Sequence, residues 1–338
     1  EYEPGGKSAA IDPIFDDYAA FLPEFLGRVL EHQQAEGAIL QPEGPFDIAV
    51  QDRLTRRLAE AVGFSFASGR LDESAHPFST GYKGDSRITV RYDAADFAPG
   101  LMAVLHESGH AAYTRGQPAA WRGQPVGDDA GMTAHESQSL TFEMQAGRSA
   151  EMAGFLAELI GEAAGAPVAG DAVRRALLRV APGYIRVDAD EATYPLHVIL
   201  RFELEQALIA GELDPADLPG AWNDRIVADL GLAAPPDRLG CLQDIHWFDG
   251  AFGYFPTYTL GALAAAQLFQ AAQQEIGAED LSAALAKGDY APLAGWMGRH
   301  VHGLGRLYPS SDDLIAAATG APLSTEAFEA HIRRRYLA

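Results

Sequence analysis

Between Ile11 and Gly63 apolar residues recur at three- and four-residue steps. Phe15, Tyr18, Leu22 and Phe25 share one helical face, and a second run from Phe46 to Val62 follows the breaker Gln41-Pro-Glu-Gly-Pro45. Such stripes predict helices that bury one face, which assigns these residues to the core. The period is lost over residues 64–80, which read as loop. Arg87-Ile-Thr-Val-Arg-Tyr92 then alternates every second residue and is rich in β-branched side chains, so it reads as a strand. A strand there offers an edge for the backbone of a bound peptide to pair with.

The helical period returns at Leu101, Val104 and Leu105, with Pro99 suited to the first turn and Gly116 followed by Pro118 as a stop. A polar, glycine-rich loop spans 116–131, and a long helical stretch runs from about Thr133 to Ala164. Residues 171–211 read as largely helical, 212–238 as an Asp- and Pro-rich connection with a short helix, and everything from Thr259 onward as Ala/Leu-rich helices. Ser310-Ser-Asp-Asp-Leu314 has the form of a capped helix start. Between these, 240–258 interleaves glycines with His246, Tyr254 and Tyr258, as in a loop whose backbone must approach a ligand.

With 338 residues, the chain has room for one large or two medium domains and a sizeable core. Its 47 acidic against 25 basic residues leave a net charge of −22, which disfavours nucleic acid and anionic membranes as partners. The same field would draw cationic peptides into an acidic cleft, although for most of these charges a highly soluble surface is the simpler explanation. Cys241 is the sole cysteine, so neither an intrachain disulfide nor a C-x-x-C metal site is possible. No apolar run is long enough to span a membrane, and Glu1-Tyr-Glu-Pro-Gly-Gly is not a signal peptide, so the expected location is cytoplasmic. The first residue is not methionine, which points to trimming or to a segment upstream.

Chemistry concentrates in His106-Glu-Ser-Gly-His110. On a helix the four-residue step places both imidazoles on one face, one turn apart, where they can grip a zinc ion. Glu107 then reaches a water beside the metal without being a ligand, as a metallopeptidase general base does. The plainer reading is a solvated helix face carrying two histidines. Glu136 lies 26 residues beyond His110, a distance suited to a second helix returning a third ligand and leaving one position open for water. Glu143, two turns on, either supports a histidine or forms an ordinary salt bridge. Arg186, within Ile185-Arg-Val-Asp-Ala-Asp-Glu191, is either an intrahelical ion-pair partner or a clamp for a substrate carboxylate, with Arg87 in reserve.

Seven stretches in fixed order resemble one family, the thermostable metallocarboxypeptidases typified by Taq carboxypeptidase. They are His76-Pro-Phe78, Asp85-Ser-Arg-Ile-Thr89, His106-Glu-Ser-Gly-His110, His135-Glu-Ser137, Ile185-Arg-Val-Asp-Ala-Asp-Glu191, Gly240-Cys-Leu-Gln-Asp-Ile-His-Trp247 and Phe252-Gly-Tyr-Phe-Pro-Thr257. The resemblance implies a mainly α, zincin-like fold, with many helices around a cleft and a small β-sheet, similar in plan to neurolysin and angiotensin-converting enzyme. It implies a single catalytic domain over 1–338, with N-terminal helices and loop in 1–80 and the zinc-binding core in 81–338. The activity implied is removal of single amino acids from peptide C-termini with broad specificity.

By the same resemblance His106, His110 and Glu136 hold one Zn2+ per chain, with Co2+ or Mn2+ as substitutes, and Glu107 is the general base. Arg186 holds the substrate's terminal carboxylate, with His76 and Arg87 as further substrate contacts. His246 and Tyr258, with Tyr254 the less favoured choice, stabilise the oxyanion. Family members are longer at the N-terminus and commonly homodimeric, so this chain is expected to be a short form or a fragment. The rival readings are a zinc endo-oligopeptidase and a non-catalytic zinc- or peptide-binding protein, and the presence of Glu107 argues against the latter.

Overall fold

A computed structural model describes residues 2–37, 44–82 and 84–338. In chain order the longer elements are α1 (Ser8–Ala35), α2 (Ile48–Val62), β1 (Gly69–Glu73), β2 (Ser79–Tyr82), β3 (Asp85–Val90), α3 (Ala98–Gly116), α4 (Met132–Leu140) and α5 (Ala150–Ala164). They continue as α6 (Gly170–Leu177), α7 (Tyr194–Ala210), α8 (Leu218–Leu230), α9 (His246–Asp249), α10 (Pro256–Ile276), α11 (Ala278–Leu285), α12 (Ala291–His300), α13 (Ser311–Thr319) and α14 (Glu326–Leu337). The described residues are mainly helical with one small sheet, as expected. No described helix is long and apolar enough to cross a membrane.

Helix α1 buries Phe15, Tyr18, Leu22, Phe25, Leu26 and Val29, the face that its spacing predicts. Pro23 sits inside this helix and costs about 3 kcal/mol of helix stability. Each buried large apolar side chain contributes roughly 1.5–3 kcal/mol, so the stripe prevails. Helix α2 starts at Asp47, whose carboxylate accepts from the Ala49 and Val50 amides. It stops at Gly63, in the left-handed conformation usual for a helix C-terminus. The breaker predicted before it lies partly outside the described residues, which omit 41–43.

The stretch 64–80, expected to be loop, contains β1 and the start of β2. Strand β1 has Leu71 as its one buried residue and β2 has none, so neither shows an alternation to read. Both form by pairing with β3, β1 in parallel (Leu71 opposite Ile88) and β2 antiparallel (Thr80 opposite Arg87). The order is β1-β3-β2, which places the predicted strand in the centre. Its expected free edge therefore does not exist, and β2 borders the sheet on that side.

Two other expectations need correction. The helix foreseen over Thr133–Ala164 is interrupted: α4 runs into a π-helical turn, Thr141–Gly147, and α5 restarts where Ser149 Oγ accepts from the Met152 amide. Residues 178–193 are largely irregular, with a short 3-10 turn at Arg186–Asp188, because Pro182 and Gly183 break the helix there.

Among the described residues the core has two apolar clusters. One joins α2, the sheet, α3, α5 and α11 to α13, through residues such as Leu58, Ile88, Leu105, Leu156 and Trp296. The other joins α1, α7, α8 and α14, through Phe25, Leu200, Trp222 and Phe328. Helix α10 enters both, with Leu268 and Phe269 in the first and Leu260 and Leu263 in the second.

Candidate active site

Helix α3 begins with Pro99 in its first turn and buries Leu101, Val104 and Leu105, which fixes the rotation that presents His106 and His110. Two glycines let α4 come close. A Cβ on Gly109 of α3 would lie 2.7 Å from Gln138 O and from the Ser139 Cα, and one on Gly261 of α10 would lie 2.7 Å from the Glu136 Cβ. Helix α4 is thus held between two helices at near-backbone contact, which brings Glu136 to the histidine pair.

His106 Nε2 and His110 Nε2 lie 3.9 and 3.5 Å from Glu136 Oε2. One ligand atom from each of the three residues falls within 4.8 Å of the other two. Ligand atoms around tetrahedral zinc are separated by about 3.4 Å, so the set is spaced for one small cation. The Nδ1 atoms face outward and are occupied. That of His106 lies 3.0 Å from Glu143 Oε2, and that of His110 lies 2.7 Å from His135 Nδ1. Glu143 also takes Arg148 Nη2 at 2.8 Å, so it both supports a histidine and forms a salt bridge.

The electrostatics agree with a cation site. Burial disfavours charge on His106, but the bond to Glu143 and the fields of Glu136 and Glu107 outweigh it and lift the imidazole to about 10. Burial raises Glu136, with Glu143 adding to the effect against the pull of His106. Glu107, 6% exposed, is pushed up to about 7 by burial, with His106 opposing and the carboxylates of Glu136 and Glu143 adding. Three acidic groups around two imidazoles form a surplus of negative charge that a divalent ion would relieve. The residues present therefore fit the metal that the sequence implies.

A second group of side chains gathers around a buried cation. Arg186 is 7% exposed; its Nε donates to Asp244 Oδ1 at 3.1 Å and its Nη1 to the Tyr194 hydroxyl at 3.0 Å. Its guanidinium lies over the rings of Phe255 and Tyr258, 4.9 and 5.1 Å from their centroids. Burial opposes the charge, yet Tyr194, Asp244 and Tyr258 hold its pKa above the usual arginine value. The intrahelical ion-pair alternative for Arg186 falls away, since residues 185–191 are not α-helical and its partner lies 58 positions on.

His246 Nε2 sits 3.3 Å from the Tyr258 hydroxyl, and the ring of Tyr254 packs 5.1 Å from that of Tyr258. Burial, then the charge of Arg186, keep His246 below its ordinary value and so neutral. Burial first, with the charge of Glu136 adding, raises Tyr194, Tyr254 and Tyr258, so this aromatic group lies within electrostatic reach of the Glu136 carboxylate. His76 and Arg87 make no contact with either group among the described residues. His76 is exposed in the turn after β1, and Arg87 is exposed on β3 and paired with Asp85 at 3.0 Å.

Several participants escaped sequence reading. Tyr194, at the start of α7, lies outside every stretch singled out in the sequence, and Asp244 and His135 stand within quoted stretches without a role of their own. The available signal was adjacency: Asp244 precedes His246 by two residues, and His135 precedes Glu136 by one. Beneath Asp244 lies Arg201, fully buried on α7, with its guanidinium over Trp247 and hydrogen-bonded to Glu205. The stretch 240–258, expected to be loop, holds the short helix α9 with His246 and the start of α10 with Tyr258, and Glu205 accepts from the Gly253 amide and so ties down the turn between them.

The chain is similar to known proteins along its whole length. The chain is 39% identical over 345 residues to thermostable carboxypeptidase 1 of Thermus thermophilus, covering 100% of this chain and 66% of the relative. It is 35% identical over 344 residues to carboxypeptidase 1 of Bacillus subtilis, covering 99% of this chain and 67% of the relative. Among solved structures, metallocarboxypeptidase 1 of Trypanosoma cruzi superposes with a TM-score of 0.97 at 41% identity, over 100% of this chain and 71% of that one. The chain thus spans about two thirds of the length of the curated relatives it matches. The profile of the carboxypeptidase Taq (M32) metallopeptidases matches residues 1–336, and the chain belongs to that family.

Proposed function

We propose that the protein is a zinc-dependent carboxypeptidase that removes single residues from the C-termini of peptides. The observation that carries this reading is the buried cation of Arg186. Asp244 and Tyr194 fix it where its charge acts on the Glu136 carboxylate, and its Nη2 has no hydrogen-bond partner among the described residues. A guanidinium so placed pairs with the free carboxylate of a peptide and sets the scissile bond one residue inward.

His106, His110 and Glu136 would hold the ion, which when bound polarises the scissile carbonyl and acidifies water. Glu107, poised near neutrality, accepts a proton from the attacking water and passes it to the amine nitrogen as the C–N bond breaks. The Tyr258 hydroxyl and His246 donate to the developing oxyanion, with Tyr254 supporting the Tyr258 ring. Neutral His246 retains one N–H for that purpose. Arg87 and His76, outside the cluster, touch only the upstream part of a longer peptide in this reading.

Zinc suits two imidazoles and a carboxylate, and cobalt or manganese would occupy the same donors. The lone cysteine, which is buried, supports a reducing, cytoplasmic setting. The family resemblance supports a homodimer. The net charge of −22 favours cationic over anionic peptides. The test is mass spectrometry of free-acid peptides incubated with protein carrying one equivalent of zinc, alongside the Glu107→Gln variant. Stepwise loss of C-terminal residues with wild type alone is expected, whereas internal cuts would replace this reading with an endo-oligopeptidase and inert zinc-loaded protein with a binder.

A further inference from the structure

Helix α4 begins after Gly131, which has no side chain to cap it, and its opening amides are satisfied from elsewhere. The Met132 N–H donates to the Tyr2 carbonyl at 2.9 Å, and the Thr133 N–H to Glu3 Oε2 at 3.1 Å. The Ala134 N–H reaches Ser311 Oγ at 3.4 Å, and His135 makes the first regular helical bond, to Gly131 O at 3.0 Å. The N-terminal segment therefore replaces the missing cap, with a carboxylate at the positive end of the helix. Glu136 is only the fifth residue of α4, little more than one turn away.

The same segment touches the other half of the site. The ring of Tyr2 meets that of Tyr254 edge to face, 4.9 Å between centroids at 87°. Tyr254 in turn packs against Tyr258, whose hydroxyl faces His246. Two consecutive residues thus brace the helix that bears Glu136 and the ring that supports Tyr258.

We propose that Tyr2 and Glu3 form a positioning strap for the active site, in which Glu3 sets the start of the helix presenting Glu136 and Tyr2 sets the orientation of Tyr254. The proposal rests on the carboxypeptidase reading for what Glu136 and Tyr254 do. Both residues act through others, so the effects should separate by readout. Glu3→Ala should weaken zinc binding, measured by competition with a chromophoric chelator, by roughly 3- to 30-fold. Glu3→Gln keeps an accepting oxygen for the Thr133 amide and should return to within about twofold of wild type. Tyr2→Ala should lower kcat roughly fivefold on a free-acid peptide with KM and zinc affinity unchanged, and Tyr2→Phe should behave as wild type because the ring makes the contact.

If Glu3→Ala and Tyr2→Ala lower only the unfolding temperature, with zinc affinity, kcat and KM as in wild type, the strap is structural and the proposal fails. Equal zinc loss in Glu3→Ala and Glu3→Gln would overturn the capping role. Wild-type protein that binds zinc but releases no C-terminal residues would refute the carboxypeptidase reading, and the zinc measurements on the Glu3 variants would still decide the strap.

Discussion

Glu143 Oε2 lies 3.0 Å from His106 Nδ1, and that contact turns the ring so that Nε2 faces Glu136. The other oxygen of Glu143 is taken by Arg148, and burial of the carboxylate is outweighed by Arg148 and His106, which hold its pKa below the usual range. Glu143→Gln should therefore weaken zinc binding by about 10–100-fold, because the ring loses its anionic support. It should also destabilise the metal-free protein by about 3 kcal/mol, since Arg148 is left without its counter-charge. Chelator competition and urea unfolding read the two effects separately. Unchanged zinc affinity with lowered stability would reduce Glu143 to a counter-ion for Arg148.

Glu107 is buried among the site's acidic groups and is absent from the convergent donor set of His106, His110 and Glu136. Glu107→Gln should retain one equivalent of metal while losing about 10²–10⁴-fold in kcat. Metal content by atomic emission and single-turnover kinetics on the loaded variant are the measurements. Full turnover in metal-loaded variant would remove the general-base assignment.

Arg186→Ala should cost free-acid peptides about 100-fold in kcat/KM and leave C-terminally amidated peptides nearly unchanged. Asp244→Asn should shift activity in the same direction with a smaller loss, since Asp244 orients the guanidinium through Nε without touching substrate. Equal loss on acid and amide substrates would make the Arg186 and Asp244 pair a structural ion pair.

His302 and His197 are buried, and burial pushes them down to about 3 and about 4 from an ordinary value of 6.5. Below pH 6.5 the unfolded chain takes up protons that the folded one refuses. Their contribution to stability is thus complete above pH 6.5 and is lost as pH falls toward those values, by up to about 1.4 kcal/mol per pH unit for each. Glu107 and Glu136, raised by burial, work in the opposite sense, so the useful quantity is a difference between proteins. Replacing His302 by Gln, which can still meet Gln138, should flatten the stability profile of metal-free protein between pH 6.5 and 5 by about that slope. Parallel profiles for the two proteins would mean that His302 takes up its proton as readily in the folded protein as in the unfolded chain.

Features that repeat locally are the ones legible in the sequence. The α1 stripe and the His106, Glu107 and His110 spacing lie within a few residues of one another, and helical geometry alone relates them. Glu136 could be anticipated because one loop joins its helix to α3. The strands β1 and β2 could not, since they carry one buried residue between them and owe their existence to β3. Arg186 was visible as an odd cation in an acidic run, but its partner is 58 residues away in a loop, and no periodicity connects them. The outward direction of Arg87 is explained by its neighbour Ile88, which is fully buried, because adjacent strand residues face opposite ways.

The π-helical turn at Thr141–Gly147 decides which side chains meet. The Arg148 amide bonds to the Glu143 carbonyl, five residues back, so the turn carries one residue more than an α-helix would. Residues five apart on an α-helix point about 140° away from one another, because each step turns the chain by about 100°. The wider turn takes up that difference and sets Glu143 and Arg148 on one side, where they pair at 2.8 Å. The extra residue thus lets a single carboxylate meet His106 and Arg148 at once. Ordinary winding of the same segment would keep one of these partners and lose the other.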